Sequence, residues 1–174
     1  LNDIRDWWGL RRWKQSGLQH LSPLVKELTI GKLDDGSVEC KISVKLCDSE
    51  NNEQINLTQT FNIFGDGNVI ISNHIEPMAT VETFPKIGLQ FKAAGDYKNV
   101  EYFGKDTENY PDRNASGKMG LYSINAAEMF EQHTVPQDNG NRSDVRWLAI
   151  TSDIHNIGIF ASMNEPFNFS MYNY

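Results

Sequence analysis

From Val38 to Leu46 apolar and polar residues alternate without a break: Val38, Cys40, Ile42, Val44 and Leu46 are separated by Glu39, Lys41, Ser43 and Lys45. Successive side chains of a strand point to opposite faces, so this run describes a strand with one buried and one wet face. The same period extends in both directions. Asp34-Asp35-Gly36 is a turn signal that makes Leu24 to Ile30 a hairpin partner. Ser49 to Glu53 is the next polar turn, Ile55, Leu57, Phe61 and Ile63 form another alternating strand, Gly65-Asp66-Gly67-Asn68 turns the chain, and Val69, Ile71 and Ile75 return. A further strand is expected at Ile87, Leu89 and Phe91, then a turn at Ala94-Gly95-Asp96 and a short strand from Val100 to Phe103. Residues 24–103 thus read as a β-meander.

Between Gly104 and Asn141 the alternation fades and polar, Gly and Pro residues dominate, which predicts a long loop region of the kind that carries function or an interface. The β pattern resumes at Val145 to Thr151, Ile157 to Ala161 and Phe167 to Met171. Eight or nine short-linked strands with no helices between them argue for an antiparallel all-β sandwich. The 174 residues are expected to form a single partial domain, with residues 142–174 as its further strands. Roughly 70% of the unfolded surface of a chain this long can be buried, so a core needs neither disulfide nor metal.

Residues 1–20 are different: Asp3 as a cap, Ile4, Trp7 or Trp8, and Trp13 at three-to-four spacing, and Gly17 as a stop predict a short helix or irregular arm. Its tryptophans carry too much apolar area to be left in water, so the arm is expected to pack on something large. Cys40 and Cys47 lie an odd number of residues apart on one strand and should point to opposite faces, too divergent to bridge. Their plain reading is that Cys40 packs as a small hydrophobe and Cys47 sits at a strand end.

A formal net charge of -7 and the lack of a basic stripe with interleaved aromatics argue against nucleic acid. No apolar run approaches the length of a membrane span and no leader is visible at Leu1, so the native compartment, cytoplasmic or periplasmic, is not readable from this end of the chain.

Two segments carry a resemblance. Tyr102-Phe103-Gly104 followed by Glu108-Asn109-Tyr110-Pro111-Asp112-Arg113, then Thr134-Val135-Pro136-Gln137-Asp138-Asn139-Gly140-Asn141-Arg142 leading into Val145-Arg146-Trp147, resemble two linked signatures of the C-terminal small-chain domain of lacZ-type β-galactosidases, in that order and separation. Asn2-Asp3-Ile4, Arg12-Trp13-Lys14, Gly17-Leu18 and Phe167-Asn168-Phe169-Ser170 extend the resemblance over nearly the whole chain. It implies a β-supersandwich of the galactose-mutarotase-like type, joined to a barrel that holds the catalytic acid and nucleophile. It further implies galactosides as ligands, the other domains of the polypeptide as partners, a possible homo-oligomer, and magnesium and sodium ions held by those other domains, with no cofactor in this chain. The family often has Glu where Asp138 stands, and its domain continues past the position of Tyr174 with further strands.

A retaining glycosidase needs two carboxyl groups about 5 Å apart. Glu108, Asp112, Glu128, Glu131 and Asp138 are available between Gly104 and Asn141, but nothing in their spacing brings two together, and the isolated chain is expected to be inactive. Aldose ring opening would want a His with a carboxylate, and His74, His133 and His155 have no such spacing; exposed or structural histidines are the plain reading. No zinc-ligand spacing or phosphate-cradling Gly loop is present.

The candidates for sugar or interface contact are Glu108, Asn109, Arg113, Gln137, Asn141, Arg142 and Arg146. Arg113 beside Asp112 is expected first to knit its own loop by bidentate pairing. Asn141, Arg142 and Arg146 offer planar donors beside an aromatic, as hydroxyl-rich rings require. On a regular strand Arg142, Arg146 and Leu148 would share one face, and Val145 and Trp147 the other, with Trp147 in the core.

Overall fold

A computed structural model describes residues 7–106, 110, 114–134, 139–155 and 157–172. All paired strands are antiparallel and lie in two four-stranded sheets, as an all-β sandwich requires. Residues 1–88 and 89–174 form two compact units with one sheet each.

The first unit opens with a helix, α1 (Trp7–Gln15), and a 3-10 turn at Leu18–His20, separated by Gly17, whose φ of +67° ends the helix as the sequence suggests. Four strands follow in order: β1 (Ser22–Lys32), β2 (Val38–Cys47), β3 (Glu53–Ile63) and β4 (Val69–Pro77). Asp35 and Asp66 accept the backbone N–H two residues on, and Gly36 and Gly67 take positive φ, so each hairpin turn is closed by the residues that announce it. The pairing preserves the alternation across the sheet: Ile30, Cys40, Phe61 and Ile71 form one cross-strand row, and Val25, Val44, Leu57 and Ile75 another. Lys41, Thr60 and Ser72 lie in register on the opposite face. The arm covers one end of this unit: the Ser16 hydroxyl donates to the Thr80 carbonyl at 2.7 Å and Trp13 Nε1 to Thr83 at 3.3 Å.

Both cysteines are free; Cys40 lies in the apolar rows and Cys47 is buried at the strand end. Ile87, Leu89 and Phe91, expected as a strand, belong to no strand and are exposed. Alternation supplies a face to bury, but a strand also needs a hydrogen-bonding neighbour, and none of the described strands pairs with this segment.

In the second unit the order is β6-β5-β7-β8, with β5 (Tyr97–Lys105), β6 (Met119–Asn125), β7 (Arg142–Ser152) and β8 (Gly158–Phe169). The stretch expected as loop between Gly104 and Asn141 contains β6 and a 3-10 turn at Ala126–Met129, the latter closed by a capping box between Asn125 and Glu128. The two segments expected at Ile157 to Ala161 and Phe167 to Met171 fall largely in one strand, β8, with a register shift. The core lies on one face: Val100, Tyr102, Met129, Val145, Leu148 and Ile150, with Tyr122, Phe167 and Phe169 packed against them. Tyr102 sits between Tyr122 at 5.5 Å and Phe169 at 5.3 Å, the latter edge-on.

Asp144 changes the frame of β7. Its φ of +53° marks a bulge, with the register shifting between Arg142 and Val145 and again between Val145 and Trp147. Val145 and Leu148 therefore both face the core, whereas Trp147 is half-buried on the other face, stacked on Phe160 at 5.7 Å. The expectation of a core Trp147 fails because it assumed an unbroken period of two.

The core assignment has a measurable consequence. Met129 is fully buried, so Met129→Ala should cost about 2–5 kcal/mol in denaturant unfolding. Leu121, 67% exposed on the opposite face of the sheet, should change stability by less than about 0.5 kcal/mol on conversion to Ala.

Candidate functional site

The described parts of the second signature, Asn139 to Arg142, lead into β7, with the Arg142 charge close to Tyr102 of the first. Glu108, Asn109, Arg113 and Gln137 lie outside the described residues, as do Asp112 and Asp138. Of the remaining candidates, Asn141 and Arg142 are buried and Arg146 is exposed. The structure thus brings Asn141 and Arg142 together and leaves Arg146 apart, against the expectation of a shared face for the two arginines.

Arg142 is 3% exposed at the end of β7 opposite Phe169. One terminal nitrogen donates to the Asn141 carbonyl at 3.1 Å, and Nε has no hydrogen-bond partner. Burial pushes the Tyr102 phenol above its ordinary range, and the charge of Arg142 opposes that rise. Asn141 accepts from the Ser170 hydroxyl at 3.4 Å.

Beside this pair stands a second cation that the sequence reading missed. Lys105, 16% exposed on its side chain, directs Nζ to the Asp144 carboxylate at 3.0 Å, the Asn114 carbonyl at 2.8 Å and Asn114 Oδ1 at 3.0 Å. Asn114 Nδ2 continues to Ser143 Oγ at 3.4 Å. Lys105 directly follows the Tyr102-Phe103-Gly104 run, Asn114 directly follows Arg113, and Asp144 lies two residues past Arg142. Adjacency to the signatures was the available signal, and the positive φ of Asp144, which aims its carboxylate, was not visible.

The chain just before Asn141 is fixed as firmly. Asn139, 7% exposed, accepts from Glu131 N at 2.8 Å and donates back to the Glu131 carbonyl, while the Tyr172 hydroxyl donates to the Asn139 carbonyl at 2.7 Å. Gly140 takes φ +68°, and a Cβ there would come within 3.0 Å of the Met129 carbonyl, so only glycine fits. The arrangement fixes backbone and planar donors in place, and its described residues contain no nucleophile beside a base. Among the described residues no three His, Cys, Asp or Glu side chains are grouped to hold a metal.

Ser152, His155 and Asp96 do gather at the other end of β7, but not as a hydrolytic relay. The Ser152 hydroxyl donates to Asp96, and its oxygen accepts from the backbone N–H of Ile154 and His155. His155 Nε2 lies 3.3 Å from the same carboxylate. With its proton on Asp96 and not aimed at the imidazole, Ser152 ties a turn. His74 is exposed and pairs with Glu76 at 3.2 Å.

With that geometry in view, the comparisons are direct. The whole chain, residues 1–174, matches the family described as beta galactosidase small chain, and the chain belongs to that family. It is 31% identical over 143 residues to a beta-galactosidase of Priestia megaterium, covering 81% of this chain and 13% of the relative. It is 29% identical over 152 residues to a beta-galactosidase of Vibrio cholerae, covering 85% and 14%, and 27% identical over 112 residues to one of Streptococcus thermophilus, covering 64% and 11%. The chain therefore spans about a seventh or less of the length of these relatives.

Two outcomes follow from the site. Lys105→Met should destabilise the second unit by about 2 kcal/mol, since it leaves Asp144 and two Asn114 oxygens without their cation; Lys105→Arg should recover part of the loss in the same denaturant titration. The hydrogen bond from Ser152 holds the Asp96 carboxyl below its ordinary range. A lowered folded-state value contributes stability above the unfolded value and loses it as pH falls through the folded one. Asp96→Asn should therefore reduce the melting temperature at pH 7, with the gap to the parent closing as pH drops below the ordinary carboxylate range.

Proposed function

We propose that this chain works as the small-chain domain of a β-galactosidase, buttressing the catalytic barrel of the polypeptide and helping to wall its galactoside site. The observation that carries the reading is the family match over all 174 residues, together with alignment to only 11–14% of three full-length relatives named beta-galactosidase. In this reading the acid and nucleophile of glycoside hydrolysis, and the ions the family uses, belong to the rest of the polypeptide. The chain's own contribution is positional. Arg142, Asn141 and the Lys105–Asn114–Asp144 cluster anchor the ends of the two signature loops, so that whatever those loops present is held by buried, hydrogen-bonded backbone.

The test compares the chain alone with the polypeptide that carries it, using a chromogenic β-galactoside. Turnover is expected only from the longer polypeptide, with Arg142→Ala lowering its activity at least about tenfold, a loss of 1.4 kcal/mol or more in transition-state stabilisation. Enzyme-like hydrolysis by the chain alone, abolished by Glu108→Gln or Asp138→Asn, would overturn the proposal. Saturable amide shifts between Gly104 and Trp147 on adding galactose or lactose to the chain alone would instead make it a free-standing sugar-binding module.

A further inference from the structure

Asn139 is followed by Gly140, and no other asparagine of the chain precedes a glycine. This pair is the one most open to spontaneous deamidation, because glycine has no Cβ to hinder attack of its backbone nitrogen on the preceding side-chain carbonyl carbon. Exposed turns are where such a pair ordinarily reacts. Here Asn139 is 7% exposed, and Met129, Glu131 and Tyr172, which clasp the pair, belong to the same unit.

Neither residue can be exchanged without loss. The Asn139 carboxamide accepts the Glu131 N–H through Oδ1 at 2.8 Å and donates through Nδ2 to the Glu131 carbonyl, so one planar group satisfies both backbone groups of Glu131. A carboxylate only accepts, and an aliphatic side chain does neither. Gly140 has φ +68°, and a Cβ there would stand 3.0 Å from the Met129 carbonyl oxygen and 3.6 Å from that of Met171. The backbone at this point therefore requires the dipeptide whose chemistry is least durable.

The same contacts hold the reaction off. Ring closure needs the Asn139 side chain to swing its Cγ against the Gly140 nitrogen, which breaks both bonds to Glu131. It also needs the peptide between the two residues to turn, and the Asn139 carbonyl is held by the Tyr172 hydroxyl at 2.7 Å. Three hydrogen bonds must open together before the reacting atoms meet.

We propose that Asn139 is a latent deamidation site, inert while the clasp of Met129, Glu131 and Tyr172 is closed and committed once it opens. The Gly140 nitrogen gives up its proton and bonds to Asn139 Cγ; the Cγ–Nδ2 bond breaks, and ammonia leaves with that proton. Water then opens the cyclic imide, at the side-chain carbonyl to give aspartate or at the backbone carbonyl to give isoaspartate. Neither product can reseat. Aspartate sets a second acceptor oxygen against the Glu131 carbonyl in a buried site. Isoaspartate lengthens the main chain and displaces Gly140 from beside the Met129 carbonyl. Asn141 and Arg142 follow directly, so an opening that lasts long enough to react deprives that molecule of its ordered entry into β7.

Mass spectrometry of the tryptic peptide from Met119 to Arg142 detects the gain in mass when the amide becomes an acid, and fragmentation separates Asn139 from Asn125 and Asn141. In mildly alkaline buffer, conversion at Asn139 should be at least about tenfold slower in the folded chain than in the same chain in guanidinium chloride. Asn125 and Asn141, followed by alanine and arginine, should stay slow in both. Tyr172→Phe, which removes only the hydroxyl, should speed conversion in the folded chain by at least about threefold and leave the unfolded rate unchanged. Gly140→Ala should abolish the fast conversion in denaturant, and Asn139→Asp should lower the denaturant midpoint. Equal rates at Asn139 in the folded and unfolded parent would overturn the proposal, and that comparison needs no variant to fold. A folded Tyr172→Phe chain that converts no faster than the parent would overturn it as well.

Discussion

A strand buries every second side chain, and both units of this protein depend on which set of alternate residues that is. In the first sheet the turns at Asp35-Gly36 and Asp66-Gly67 fix the register, and the pairing then puts Cys40 against Ile30 and Phe61 and not against Gly31 or Thr60. A slip of one residue would move the whole apolar set to the face that holds Lys41 and Ser72. The Asp and Gly residues of two short turns therefore decide the amphipathicity of about forty residues, and the apolar face exists because they hold.

The second sheet keeps the same constraint and breaks it on both sides of Val145: the register shifts once across Asp144 and again between Val145 and Trp147, so that Val145 and Leu148 both face inward and Trp147 lies on the opposite face. The same backbone irregularity carries the Asp144 carboxylate to Lys105. One non-glycine residue at positive φ thus holds the ion pair beside the signature segments, at about 1 kcal/mol of backbone strain that the surrounding contacts over-determine. Strain of this kind concentrates where position matters more than stability.

How far the sequence could be read follows from how local each signal was. The four strands of the first unit, their turns and the helical arm are legible because Asp-Gly and Gly-Asp-Gly-Asn signals flank clean alternation. Strand β6 was not, because Leu121 and Met119 on one face are as apolar as Tyr122 and Ile124 on the other, and Gly120 adds nothing to either. A Cβ at Gly120 would meet the Tyr122 hydroxyl at 2.9 Å, so a larger residue there would displace that ring. Ile87 to Phe91 shows the converse error, a strand pattern with no described strand to pair with. At the site, Asn141 and Arg142 could be named from the signature, whereas Lys105, Asn114 and Asp144 are joined only by folding, across 9 and 39 residues of chain from Lys105.

The burial of Arg142 bears on what the signatures are for. A guanidinium at 3% exposure with an unpartnered Nε is a costly way to hold a loop, and an apolar residue of similar volume would stabilise a core as well or better. What a fixed, delocalised cation offers instead is direction: it donates to the Asn141 carbonyl at the head of β7, and its charge acts on the Tyr102 phenol of β5. Tyr102 and Asn141 belong to the two different signature segments, so one buried charge acts on residues of both.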